Sequence, residues 1–213
     1  MSDQEPQSER FSEGDEAPVR KRPRPGERRL QILQTLAAML EQPGAERVTT
    51  ASLAAKIGVS EAALYRHFAS KAQMFEGLID FVDQSVIGLI RQVTDREPAG
   101  AVQASRIVAL LLQFAEKNPG MSRVMIGDAL VLEHERLQER INLLFDKIEA
   151  QLRQSLREAN AASSTPTVDT QVQASVLVAF MQGRLQRFAR SGFKRLPSEH
   201  LQAALTRVLE RHP

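Results

Sequence analysis

Cysteine and tryptophan are both absent from the 213 residues, and tyrosine occurs once, at Tyr65. Without cysteine the chain can form neither disulfides nor thiolate metal sites, and a reducing cytoplasm is the simplest compartment. Apolar residues make up 42% of the sequence, yet no apolar run is long enough to span a bilayer and the N-terminus lacks the apolar core of a signal peptide. The strand-like alternation and Asn-Gly turns of hairpins are missing as well, so the expected fold is all-α. The histidines His67, His134, His200 and His212 do not fall at metal-ligand spacing. Glu133, His134 and Glu135 are sequential, so on a helix they diverge instead of converging on one ion. There is no phosphate-cradling glycine-rich loop and no glycine-framed serine elbow. No catalytic activity, metal or cofactor is expected, and no membrane role, because the one basic arm has no adjoining amphipathic anchor.

What the chain does have is an uneven distribution of charge. Its net +2 combines residues 1–19, where six acids face Arg10 for a sum of −5, with residues 20–71, where ten Lys or Arg face four Glu for a sum of +6. Residues 1–26 are polar and then punctuated by Pro18, Pro23 and Pro25, and read as a disordered extension ending in a basic arm. The positive charge therefore gathers just before and within residues 27–72, as phosphate binding requires.

Within that region Val48 to Phe75 has the spacing of a helix-turn-helix DNA reader. Thr50 or Thr49 can cap a first helix, whose inner face is Leu53 and Ile57, with Ala54 small enough for a second helix to approach. Gly58 can end that helix in the left-handed conformation. Val59 plugs the turn, Ser60 caps the next helix, and Leu64 and Phe68 form its buried side. Glu61, Ala62, Tyr65 and Arg66 then point outward, where a major groove can receive them. Phosphate anchoring is expected from Thr49, Thr50, Tyr65, His67 and Lys71, and contact with base edges from Ser60, Glu61, Ala62 and Arg66. Two of these have plain alternatives. Glu61 suits a helix N-terminus for its charge alone, and His67 can be a partly buried ring bonded locally.

The run from Leu64 through Tyr65, Arg66, His67, Phe68, Ala69 and Ser70 to Lys71 resembles the signature of the tetracycline-repressor family. That resemblance implies phosphate contacts for Tyr65 and Lys71 and a packing role for Phe68. Longer stretches, at 49–68, 118–120, 136–154 and 190–197, resemble the nucleoid-occlusion branch of the same family. The likeness runs from about Arg28 to the C-terminus and leaves out the first 26 residues.

The rest of the chain, residues 73–213, reads as a helical body. Ahead of it, the first helix of the 27–72 head starts at Glu27 and carries Leu30, Ile32, Leu33, Leu36, Ala37 and Leu40 inward, and Gln42-Pro-Gly ends it. Ser70 caps a fourth helix that turns Met74, Phe75, Leu78, Phe81, Val82, Val86, Leu89 and Ile90 inward until Pro98. A fifth, with Ile107, Leu110 and Phe114, stops at Asn118-Pro-Gly, and a short helical turn follows. From Leu130 to Ala161 a long helix places Leu137, Ile141, Leu144 and Ile148 on a coiled-coil seam, which drifts to Leu152 and Leu156 and should therefore pack within the domain. After a surface loop at 162–167, helices from Asp169 to Arg190 and from a Ser198 cap onward offer a four-helix interface to a second copy.

The resemblance implies a homodimer, possible higher-order assembly on DNA, and a nucleoid-associated cytoplasmic inhibitor of division. Proteins of that branch sit on near-palindromic double-stranded DNA sites and antagonise assembly of the tubulin-like GTPase FtsZ. A surface between the fourth and fifth helices, around Phe81, Leu110, Lys117 and Asn118, is the candidate for that partner, set against core packing and an ordinary helix stop. The alternative function is a ligand-released transcriptional repressor, the commoner behaviour of the wider family. Against it, the body has no tryptophan or tyrosine to line a pocket.

Overall fold

The computed structural model describes residues 26–42, 48–97, 100–161 and 169–209, and among these every regular element is a helix, as expected. The expectations for the N-terminal extension, for the breaks at Pro43 and Pro98 and for the loop at 162–167 lie outside the described residues. A small head is built from α1 (Glu27–Leu40), α2 (Thr50–Ile57) and α3 (Glu61–Tyr65). Ile32, Leu36 and Leu40, one turn apart on α1, close over Val48, Leu53, Leu64 and Phe68, and all are buried. Leu30 departs from the expected inner stripe. It is 55% exposed and lines a surface groove with Leu78, Phe81 and Met121 instead of entering the core.

The body begins with α4 (Lys71–Thr94), whose 24 residues make a rod of about 36 Å. Met74, Phe75, Leu78, Ile79, Val82, Val86, Ile90 and Val93 form its buried stripe. Phe81, expected inward, is 47% exposed, with its ring centroid 6.4 Å from that of Phe114 and the two planes tilted by 38°. Then come α5 (Ala101–Lys117) and α6 (Pro119–Met125), with Asn118 as the hinge between them and Pro119 in the first helical position, where its missing N–H costs nothing. Gly127, in the left-handed conformation, leads into a 3₁₀ turn at Asp128–Leu130. That turn occupies the residues expected to start the long helix, so α7 runs from Glu135 to Ala161. Its seam residues Leu137, Ile141, Leu144, Ile148, Leu152 and Leu156 are all buried within the single chain, against α4, α5 and α8.

The last two helices are α8 (Thr170–Arg190), capped by Asp169 through the amides of Gln171 and Val172, and α9 (Leu201–Leu209). Ser198 does not cap α9. His200 adopts φ 53°, so the helix begins only at Leu201, and the Ser198 amide donates instead to Glu116 Oε1 at 2.7 Å. On α8, Val172, Val176, Ala179 and Gly183 stay exposed in the single chain.

Candidate nucleic-acid interface

Local hydrogen bonds shape the head where sequence logic placed them, with one change. Thr49, not Thr50, caps α2: its Oγ1 accepts the Ser52 amide and the Ser52 hydroxyl accepts the Thr49 amide, each at 3.1 Å, a reciprocal capping box. Thr50 is released for another task. Its hydroxyl donates to Glu61 Oε2 at 2.8 Å, tying the start of α2 to the start of α3. Gly58 ends α2 at φ 76°, ψ 41°, a conformation that other residues adopt only with strain. Ser60 then caps α3 through the Ala63 amide.

Thr49, Ser60, Glu61, Ala62, Tyr65, Arg66 and His67 are exposed, and Thr50 and Lys71 are half-buried. On α3 the spacing of 61, 62, 65 and 66 gathers their side chains on the side away from buried Leu64. Two cations that the motif did not single out bear on this surface. Lys56, in the last turn of α2, is exposed beside the reading helix. Arg29 is used structurally: its Nη1 donates to the His67 carbonyl at 2.7 Å and its guanidinium lies 4.0 Å from the Phe68 ring centroid. That pairing spans 38 residues and has no sequence signature, yet it locks α1 onto the end of the reading helix.

Lys71 opens α4, directly after the Ser70 cap. Its ammonium is hydrogen-bonded to Glu133 from the loop before α7. Further ion pairs continue along the α4–α7 seam, Glu76 with Arg136 at 2.8 Å, Asp80 with Arg140, and Asp83 with Lys147 at 2.8 Å. On the other side of α4, a groove of about 290 Å³ is lined by Leu30, Leu33, Leu78, Phe81, Asn118 and Met121. It brings together Phe81 and Asn118 of the expected partner surface. Leu110 instead packs half-buried against the core, and Lys117 is exposed outside the groove lining. The Asn118 side-chain amide donates to the Phe114 carbonyl at 2.7 Å, ending α5. Gly120 lies against α1 so closely that a Cβ there would come within 2.2 Å of the Ala37 carbonyl oxygen.

A capped two-helix reader with an exposed polar and basic edge, joined by one long helix to an α-helical body, defines a DNA-binding regulator of the tetracycline-repressor type. The family model of bacterial regulatory proteins of the tetR family matches residues 32–78, and that of the SlmA-like, tetracyclin repressor-like C-terminal domain matches residues 99–211. The nucleoid occlusion factor SlmA of Idiomarina loihiensis is 51% identical over 177 residues, covering 83% of this chain and 90% of that protein. That of Shewanella oneidensis is 51% identical over 174 residues, covering 81% and 88%. The chain belongs to this SlmA family of nucleoid occlusion factors. In fold it also resembles the tetR-family regulator PfmR of Thermus thermophilus, with a TM-score of 0.71, 21% identity and coverage of 85% of this chain and all of that one. The fatty acid degradation regulator FadR of Bacillus halodurans gives a TM-score of 0.72 at 14% identity, over 88% of this chain and 98% of that one.

Proposed function

We propose that two copies pair through α8 and α9, present their α3 helices to successive major grooves of a near-palindromic DNA site, and from the chromosome antagonise FtsZ assembly so that no septum closes over the nucleoid. The observation that carries this reading is the likeness, at about half identity through head and body alike, to proteins named nucleoid occlusion factors. Exposure of Val172, Val176, Ala179 and Gly183 along α8 supports pairing there, and pairing supplies the spacing of about 34–36 Å that consecutive grooves demand.

On the DNA, Thr49, Thr50, Tyr65, His67 and Lys71 hold phosphates, while Ser60, Glu61, Ala62 and Arg66 face base edges. The Thr50–Glu61 hydrogen bond gives this assignment a mechanical consequence. The bond occupies only Oε2 of Glu61, so Oε1 can accept from a cytosine amine while the tie between α2 and α3 holds the carboxylate in place. The reader has few bidentate base donors, so affinity leans on phosphates and selectivity partly on DNA shape. Neutralising about six phosphates per dimer gives a slope of about −5 in log K against log salt, and a slope near zero refutes the assignment.

For the protein partner, the surface around Phe81, Leu110, Lys117 and Asn118 remains our candidate, with the half-exposed Phe81 ring as its apolar anchor. Holding the inhibitor on chromosomal sites raises its concentration where a septum must not form. The test is sedimentation of FtsZ filaments with and without site DNA. K117E is expected to bind DNA as the parent does and to lose the effect on filaments; an unchanged effect removes Lys117 from the surface. Chromosome-wide binding in cells separates this function from promoter repression. Many scattered sites support it, and one or two promoter sites overturn it.

A further inference from the structure

We infer that Glu133, a residue of the body, competes with DNA phosphate for Lys71, and thereby sets the DNA affinity of the head and loosens its own loop when DNA binds. The inference rests on the reading of Lys71 as a phosphate contact. Its starting point is electrostatic. Lys71 occupies the first position of α4, where the helix dipole is positive and a cation is unfavourable, and the first turn of α4 contains no acidic residue. The missing negative charge comes from 62 residues away, as the Glu133 carboxylate hydrogen-bonded to the Lys71 ammonium. The pair is sheltered, with side chains 27% and 12% exposed for Lys71 and Glu133, and the Lys71 ammonium also sits 5.6 Å from the centre of the Phe75 ring. One ammonium cannot neutralise two anions at once, so a phosphate arriving at the N-terminus of α4 competes with the carboxylate that is there.

The loop carrying Glu133 is built to respond. It lies between left-handed Gly127 and the start of α7, and after the 3₁₀ turn it exposes Val131 and Leu132 to solvent. It is anchored at one end by the buried Ala129 and Leu130 and at the other by His134, whose carbonyl accepts the Leu137 amide and whose Nδ1 accepts the Arg136 amide; between them stand the bond from the Glu133 amide to the Leu130 carbonyl and the ion pair to Lys71. When phosphate takes Lys71, the largely buried Glu133 carboxylate loses its counterion and moves toward water, taking residues 131–134 with it. Arg136, the next cation along, is already held by Glu76 at 2.8 Å. The body thus senses DNA through one exchanged anion.

The experiment measures binding of the full chain to a fixed duplex by fluorescence anisotropy across a salt series, with hydrogen exchange on the free and bound protein. K71A is expected to weaken binding and flatten the salt slope by about 1 per subunit. If K71A changes neither, the phosphate role of Lys71 fails, and the competition with it. E133Q is expected to tighten binding about fivefold per subunit, and E133D, with a shorter reach, to do so less. On the K71A background E133Q should have no effect. DNA should also speed amide exchange at 131–134 in the parent chain and not in K71A. If K71A weakens binding while E133Q leaves it unchanged or weakens it too, the pair is a scaffold and the competition is refuted. Thermal melts of each variant confirm that all are folded at the temperature of the assay.

Discussion

Replacing Gly120 by alanine probes how the DNA head is joined to the body. Gly120 is the second residue of α6, and the added methyl carbon would lie 2.2 Å from the carbonyl oxygen of Ala37, 3.1 Å from its carbonyl carbon and 3.3 Å from Glu41 Cγ. The first two are backbone atoms of the last turn of α1, so no rotamer change relieves them; α1 and α6 must separate by about an ångström. Overpacking of this kind costs about 3 kcal/mol, at the upper end because both partners are helices that move as units. Alanine returns about 1 kcal/mol through its better helix propensity. The net loss is therefore about 2 kcal/mol, a fall of about 6 °C in Tm for a domain of this size. Because α1 carries the head, the same displacement misplaces α3, and DNA affinity measured by anisotropy should fall several-fold even where the protein is fully folded. Gly88 supplies the control. It lies inside α4 with nothing within 4 Å of the place an added methyl would take, so G88A should stabilise by about 1 kcal/mol. A G120A protein that melts like G88A and binds DNA like the parent would refute the close α1–α6 contact.

Loss of the capping box in T49A leaves first-turn amides of α2 unpaired and is expected to cost about 1 kcal/mol, or about 3 °C in Tm, by calorimetry. V176K should leave the folded single chain intact, because Val176 is exposed there. Pairing through α8 would bury two lysines across the seam and weaken dimerisation by about 3 kcal/mol, roughly two orders of magnitude in sedimentation equilibrium. A dimer of undiminished strength would place the pairing surface elsewhere.

The reader was legible in the sequence because its signals are local. Ser60 and Ser70 each accept the amide three residues on, Gly58 donates its own amide to the carbonyls three and four residues back, and residue types alone announce such contacts. Even there Thr49 and Thr50 were interchangeable until the backbone showed which of the two stands outside the helix. The core stripes of α4 and α7 followed from periodicity, but their edges did not. Leu30 and Phe81 satisfy the helical period and still face outward, because periodicity gives the direction of a side chain and not whether another element arrives to cover it. The start of α9 was displaced by His200 in a left-handed conformation that its residue type does not advertise. The seam of ion pairs between α4 and α7 depends on how two helices about sixty residues apart are staggered, and neither helix encodes that alone. Gly120 was legible as a helix stop and turned out to serve close packing as well.

Tyr65 is the single tyrosine of a chain that has no tryptophan, and it stands exposed on the reading helix. Near-ultraviolet emission from the unlabelled protein therefore originates almost entirely at one ring on the surface proposed to meet DNA. Quenching of that light during a duplex titration reports occupancy of the head directly, with no dye attached and no background from the body.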